Sequence, residues 1–146
     1  MQTNVYLDID GVLLANDLNP ANYVHEFLEK VTSTYPTYWL TTHCKGDAGT
    51  AINRLSLVFP PETMALLKDV KATNWDLAKT EAIDFSKPFL WFDDDLFYEE
   101  KQDLLSHDRI DNCVEVDLKK DPNHLRRFIT SFPIAVSEVK QTELQP

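Results

Sequence analysis

Cysteine, glycine and basic side chains are all scarce in this 146-residue chain, which carries two cysteines, three glycines and fourteen lysines and arginines. Two cysteines, Cys44 and Cys113, cannot build a disulfide framework. The first residues show no basic stretch followed by an apolar one, so free thiols in a reducing cytoplasm are the expectation. No apolar run reaches bilayer-spanning length, and no membrane location is expected. The few glycines form no Gly/Ser linker, and internal repeats and low-complexity blocks are lacking as well. One domain over residues 1–133 with a polar tail over 134–146 is therefore expected. Against the fourteen basic residues stand 24 acids, for a formal net charge of −10. That balance disfavours long nucleic acids and anionic membranes, both of which bind basic surfaces. It leaves room for a phosphorylated substrate held by a metal in one cleft.

What the chain does contain is apolar material in an alternating pattern. Hydrophobic residues make up 43% of it, enough for a sizeable core at this length. Val5-Tyr6-Leu7 reads as a buried strand, Tyr38-Trp39-Leu40 as a second and Phe89-Leu90-Trp91-Phe92 as an aromatic third. Cys113-Val114-Glu115-Val116 reads as a last strand, and residues 64–67 fit either a further strand or a helical turn. Between them lie helical patterns. Asn19-Pro20 resembles a helix start, with Val24, Phe27, Leu28 and Val31 at helical spacing up to residue 34. Further helices are expected over 51–58, stopped by Pro60-Pro61, then over 75–85 and 122–132. Alternating strands and helices predict an α/β fold: a three-layer α/β/α sandwich on a Rossmann-like parallel sheet of about five strands. Ligands of such sheets bind beyond the carboxyl ends of the strands.

Three of those strand ends carry chemistry. The first runs into Asp8-Ile9-Asp10-Gly11, and an extended chain would put both acids on one face. Like charges that close raise the cost of ionising one another, a cost that a divalent cation removes. Gly11 permits a sharp turn or the close approach of another group. The second strand ends in Thr41-Thr42-His43-Cys44, the third in Asp93-Asp94-Asp95.

With Lys79 on the segment before the last acids, these motifs resemble, in order, those of the haloacid dehalogenase-like hydrolase superfamily, most of whose members are magnesium-dependent phosphatases. The resemblance spans residues 5–95. It implies that Asp8 is a nucleophile forming an aspartyl-phosphate and that Asp10 is the general acid and base. It implies a Mg²⁺ held by Asp8, by Asp10 through its backbone carbonyl, and by Asp94, with Asp93 a ligand or the partner of a metal-bound water. Thr41 would bind the phosphate, with Thr42 and His43 lining the cleft, and Lys79 would neutralise the charge shared by Asp8 and substrate. Lys71 is the competing candidate for the motif lysine. The loop between Leu13 and Pro20, and the stretch between Thr41 and Lys79, leave no room for a cap domain.

Blander readings compete residue by residue. Asp95 fits a helix cap. His43 and Cys44 suggest a nucleophile pair, but no further His/Cys cluster completes a site. His25, His107 and His124 are scattered and expected to be exposed; Trp39, Trp75 and Trp91 are expected in the core. The expectation is a magnesium-dependent phosphomonoesterase. The alternatives are a non-catalytic binding module that retains the fold and a polynucleotide-end phosphatase.

Overall fold

Four β-prone runs pair into one parallel sheet in the computed structural model, which describes residues 2–130. The strands are β1 (Asn4–Leu7), β2 (Thr37–Trp39), β3 (Phe89–Asp93) and β4 (Cys113–Glu115). They lie in the order β2-β1-β3-β4, all neighbours parallel. β1 and β3 occupy the middle and every residue in them is buried, which is why both read as continuous apolar runs rather than alternating ones.

The helices are α1 (Val24–Thr34), α2 (Gly49–Ser56), α3 (Pro61–Leu66), α4 (Tyr98–Ser106) and α5 (Arg126–Thr130). Side chains alternate along β1 and β3 to build a core on each face of the sheet. Val5, Leu7, Leu90 and Phe92 pack with Phe27 and Leu28 of α1, Ala51 and Leu55 of α2 and Phe128 of α5. Tyr6, Phe89 and Trp91 pack on the opposite face with Leu104 of α4 and with Ile83. The ring of Phe92 meets those of Phe27 and Phe128 edge-on, with centroids 5.2 and 5.1 Å apart. Edge contacts of this kind add about 0.5–1.5 kcal/mol each to simple burial. The result is a three-layered α/β arrangement compatible with a Rossmann-like sandwich. No helix among the described residues is long and apolar enough to cross a membrane.

Several expectations need correction. The sheet has four strands among the described residues, because residues 64–66 belong to α3. A fifth position exists only as a single bridge, where Lys71 exchanges backbone hydrogen bonds with Thr37 and Trp39. The first helix starts at Val24 rather than at Asn19-Pro20. Leu18 and Tyr23 take left-handed backbone angles, and the Asp17 carboxylate captures both the backbone N–H and the side-chain amide of Asn19, so residues 15–23 fold as turns. The helix expected over 75–85 is reduced to a 3₁₀ turn at Lys79–Ala82. There the Glu81 carboxylate accepts the N–H groups of Asp76, Leu77 and Ala78 and holds the residues before the turn in a loop. The last helix begins at Arg126, and the end expected for it and the polar tail over 134–146 lie outside the described residues. Only turns connect β1 to α1, and only α2 and α3 with their loops lie between β2 and the 3₁₀ turn, so neither stretch holds an inserted domain.

Candidate active site

The chain leaves β1, adds β2 on one side of it and then crosses to add β3 on the other. That reversal makes the carboxyl ends of β1 and β3 a topological switch point, the usual ligand position in open α/β sheets. Asp8 follows β1 directly and donates its N–H to the carbonyl of Phe92 at 3.0 Å, so the register sets it beside Asp93, the last residue of β3. Asp8 and Asp93 are buried, at 7% and 1% exposure. Asp94 follows and is exposed. Carboxylate oxygens of Asp8, Asp93 and Asp94 all lie within 4.8 Å of one another.

Lys79 enters this group from the 3₁₀ turn. Its ammonium sits 2.8 Å from Asp93 Oδ2 and 3.6 Å from Asp8 Oδ2. Burial pulls its pKa down, but Asp8 and Asp93 outweigh that, and it stays protonated with its pKa above the ordinary lysine value. Lys71 is elsewhere: it is exposed at the sheet edge, its ammonium 5.6 Å from the Tyr38 ring centroid. One buried ammonium does not balance three acids. Burial, and then the charge of Asp93, push Asp8 up to about 8; the same two causes push Asp94 up to about 6. The all-oxygen donor set and its unmet negative charge fit a hard divalent cation.

Thr41 is fully buried, and its side chain favours the ionised form of Asp8 against the two effects that raise it. Thr42 beside it is exposed. The Cys44 thiol is buried against the carbonyl of Thr73 at 3.6 Å, a packing role. Asp95 caps no helix. Its N–H is held by Asp93 Oδ1, while the N-cap position before α4 is taken by Phe97, whose N–H goes to Glu100. Two histidines expected on the surface are half-buried: His25 meets Thr63, and His124 accepts the N–H of Asp117. Trp39 and Trp91 are fully buried, whereas Trp75 is half-buried under the Lys45 ammonium.

The two acids of the first motif part company. The strand ends at Leu7, and the Ile9 carbonyl then takes the N–H groups of Val12, Leu13 and Leu14 in a tight turn. The Asp10 carboxylate is consequently outside the three-acid group. Its Oδ2 lies 2.9 Å from His43 Nε2, and its Oδ1 lies 2.8 Å from Arg54 Nη2 and 3.3 Å from Arg54 Nε. Burial raises its pKa, but the bonds from His43 and Arg54 outweigh this and hold it below the usual carboxylate range.

Arg54 and Glu100 were not legible as site residues. Arg54 lies on α2 with no local motif around it. Glu100 is buried on α4, where it accepts the Lys79 N–H and the Phe97 N–H at 3.0 Å each. The only sequence signal for Glu100 was an acid in the first turn of a helix, which is common. Comparisons with protein-family models, curated proteins and solved structures find no match to this chain.

Proposed function

We propose that this protein is a metal-dependent phosphomonoester hydrolase of the haloacid dehalogenase type, acting through an aspartyl-phosphate on Asp8. One observation carries the reading: three carboxylates and a buried lysine, contributed by three separate segments, converge where β1 and β3 end. In a binding module without chemistry, two carboxylates and an ammonium buried together would be an unrewarded expense.

Each residue then has a task. The Asp8 carboxylate attacks phosphorus, and the bond to the ester oxygen breaks. The proton for that oxygen passes through the Asp10–His43 pair, whose Oδ2 and Nε2 are 2.9 Å apart, and the pair takes one back from the water that hydrolyses the acyl phosphate, restoring Asp8. Lys79 offsets charge on Asp8 and on the transferring group, and the Thr41 hydroxyl is available to donate to a phosphoryl oxygen. Asp8, Asp93 and Asp94 would hold a divalent cation, which we take to be Mg²⁺, and it would supply neutralisation at the phosphoryl oxygens. With lysine and cation both present, Asp8 is ionised and able to attack at neutral pH.

The test is direct. The protein should release phosphate from an activated aryl phosphate in Mg²⁺, and EDTA should stop it. Asp8→Asn should abolish turnover while circular dichroism shows an unchanged fold. Undiminished turnover in that variant would remove the reading.

A further inference from the structure

We propose that residues 132–136 dock in extended form along the outer side of β4, in the groove between α4 and α5. β4 is the outermost strand of the described sheet on its side. Beside it lies a cavity of about 730 Å³, walled by Leu96, by Leu105 of α4, by Ile110, by Val114 of β4 and by Phe128 of α5. These walls are apolar, and Leu105 is left 53% exposed. The backbone of β4 faces the same way. Val116 donates its N–H to the carbonyl of Asp93 on β3. Backbone groups alternate in direction along a strand, so those of Cys113 and Glu115 are turned away from β3 and toward the cavity. A chain segment laid there meets hydrogen-bonding groups as well as apolar walls.

The choice of occupant follows from where the described chain stops. It stops at Thr130, the last residue of α5, just past Phe128 on the cavity wall. Only Ser131 then separates α5 from the run Phe132-Pro133-Ile134-Ala135-Val136. That run is apolar without interruption and holds the β-branched Ile134 and Val136. Uninterrupted apolar runs are what β1 and β3 show, where the sheet is covered on both faces. Pro133 stands near the start of the run, where a strand tolerates the loss of an N–H. Reach is ample: an extended residue advances about 3.3 Å, so Ser131 and the run span about 20 Å, past the whole of Cys113–Glu115. Tethering favours this segment over any free occupant. A short flexible link holds it at an effective concentration in the millimolar range, which a second copy or a dissolved ligand would have to match. The polar tail expected from residue 134 would then begin at Ser137 instead.

The placement is independent of the phosphatase reading, and its test needs no turnover. Amide hydrogen exchange is followed by mass spectrometry on the full chain, with a synthetic peptide of residues 131–146 as the reference for an undocked segment. The amides of residues 134–136 should exchange at least about tenfold more slowly in the protein than in the peptide. In the double variant Ile134→Asp/Val136→Asp that protection should vanish. Fragments covering β4 should lose protection with it, while those covering β1 keep theirs. Exchange of residues 134–136 at the peptide's rate in the wild-type chain would overturn the proposal. So would protection of β4 that the double variant leaves intact, which would seat the segment elsewhere. Sedimentation equilibrium covers the remaining occupant: protection that disappears on dilution together with a dimer would put a second copy in the groove and overturn the proposal. Should the double variant fail to fold, a photo-crosslink decides. With Ser137→p-benzoylphenylalanine, intramolecular products should map to residues 96–115 or 124–128, and products confined to other residues would overturn the docking.

Discussion

At Gly11 the backbone sits at φ +81°, and a Cβ there would fall 2.2 Å from Oδ2 and 2.4 Å from Cγ of Asp94. Both facts demand glycine, the first through the left-handed backbone and the second through space. The close approach that the sequence allowed at this position is therefore made by an acid of the site itself. Gly11→Ala should lower stability by about 1–3 kcal/mol in urea denaturation, the range for a side chain forced into an unfavourable backbone region. It should also displace Asp94 and weaken Mg²⁺ binding at least tenfold by calorimetry. Adding Asp94→Gly to the variant should return part of the stability, because it removes the Oδ2, Cγ and Cβ that the new side chain would meet and leaves only the backbone strain. A Gly11→Ala protein with wild-type stability and Mg²⁺ affinity would refute this account of the turn.

Between elements, Glu100 is the joint that places Lys79. Its two oxygens hold the N–H of Lys79 on the 3₁₀ turn and the N–H of Phe97 at the start of α4, and Asp103 of the same helix binds the Thr80 hydroxyl. Glu100→Gln keeps the shape but turns an NH₂ toward one of two N–H donors. A buried donor left without an acceptor costs about 1–3 kcal/mol, and that loss should appear as a lower denaturation midpoint with an unchanged slope. Unchanged stability would show that the turn holds itself. This joint also explains what the sequence could and could not reveal. β1 and β3 were legible because burial on both faces makes continuous apolar runs, and their acidic ends followed from the parallel topology. The 75–85 segment was not, since its helical pattern loses to side-chain capture by Glu81 and to anchoring by Glu100, neither of them a local propensity. Lys79 was nonetheless legible as a site residue, through its place in a motif order rather than through its secondary structure. Arg54 had no comparable handle: its partner lies 44 positions away, and only the docking of α2 brings them together.

Over the whole molecule, 24 acids against fourteen basic residues make any further concentration of negative charge costly, and the three-acid group is such a concentration. Its titration should therefore be visible in global stability. Asp8 and Asp94 have folded pKa values near 8 and 6, raised by burial and by Asp93 from an ordinary value of 3.8. A folded pKa above the unfolded one means the folded chain binds more protons between the two values, so stability falls with rising pH there. The favourable contribution is whole below about pH 4 and is lost as pH rises through 6 and then through 8. A divalent cation reverses this by taking the place of the protons. It stabilises by RT ln(1 + [L]/Kd), about 2.7 kcal/mol at a hundred times Kd. Because protons compete for the same oxygens, Kd itself tightens as pH rises. Thermal unfolding with and without 10 mM Mg²⁺ should thus show a shift of several degrees at pH 8 and a much smaller one at pH 5. Calorimetry at pH 7 in buffers of different ionisation enthalpy should register proton release on binding. Asp10, whose carboxyl is held low by His43 and Arg54, acts in the opposite sense: its stabilising contribution is whole above about pH 4 and is lost as pH falls further. A Mg²⁺-induced shift equal at pH 5 and pH 8, with no proton release, would mean that the carboxylates beyond β1 and β3 are not the cation's ligands.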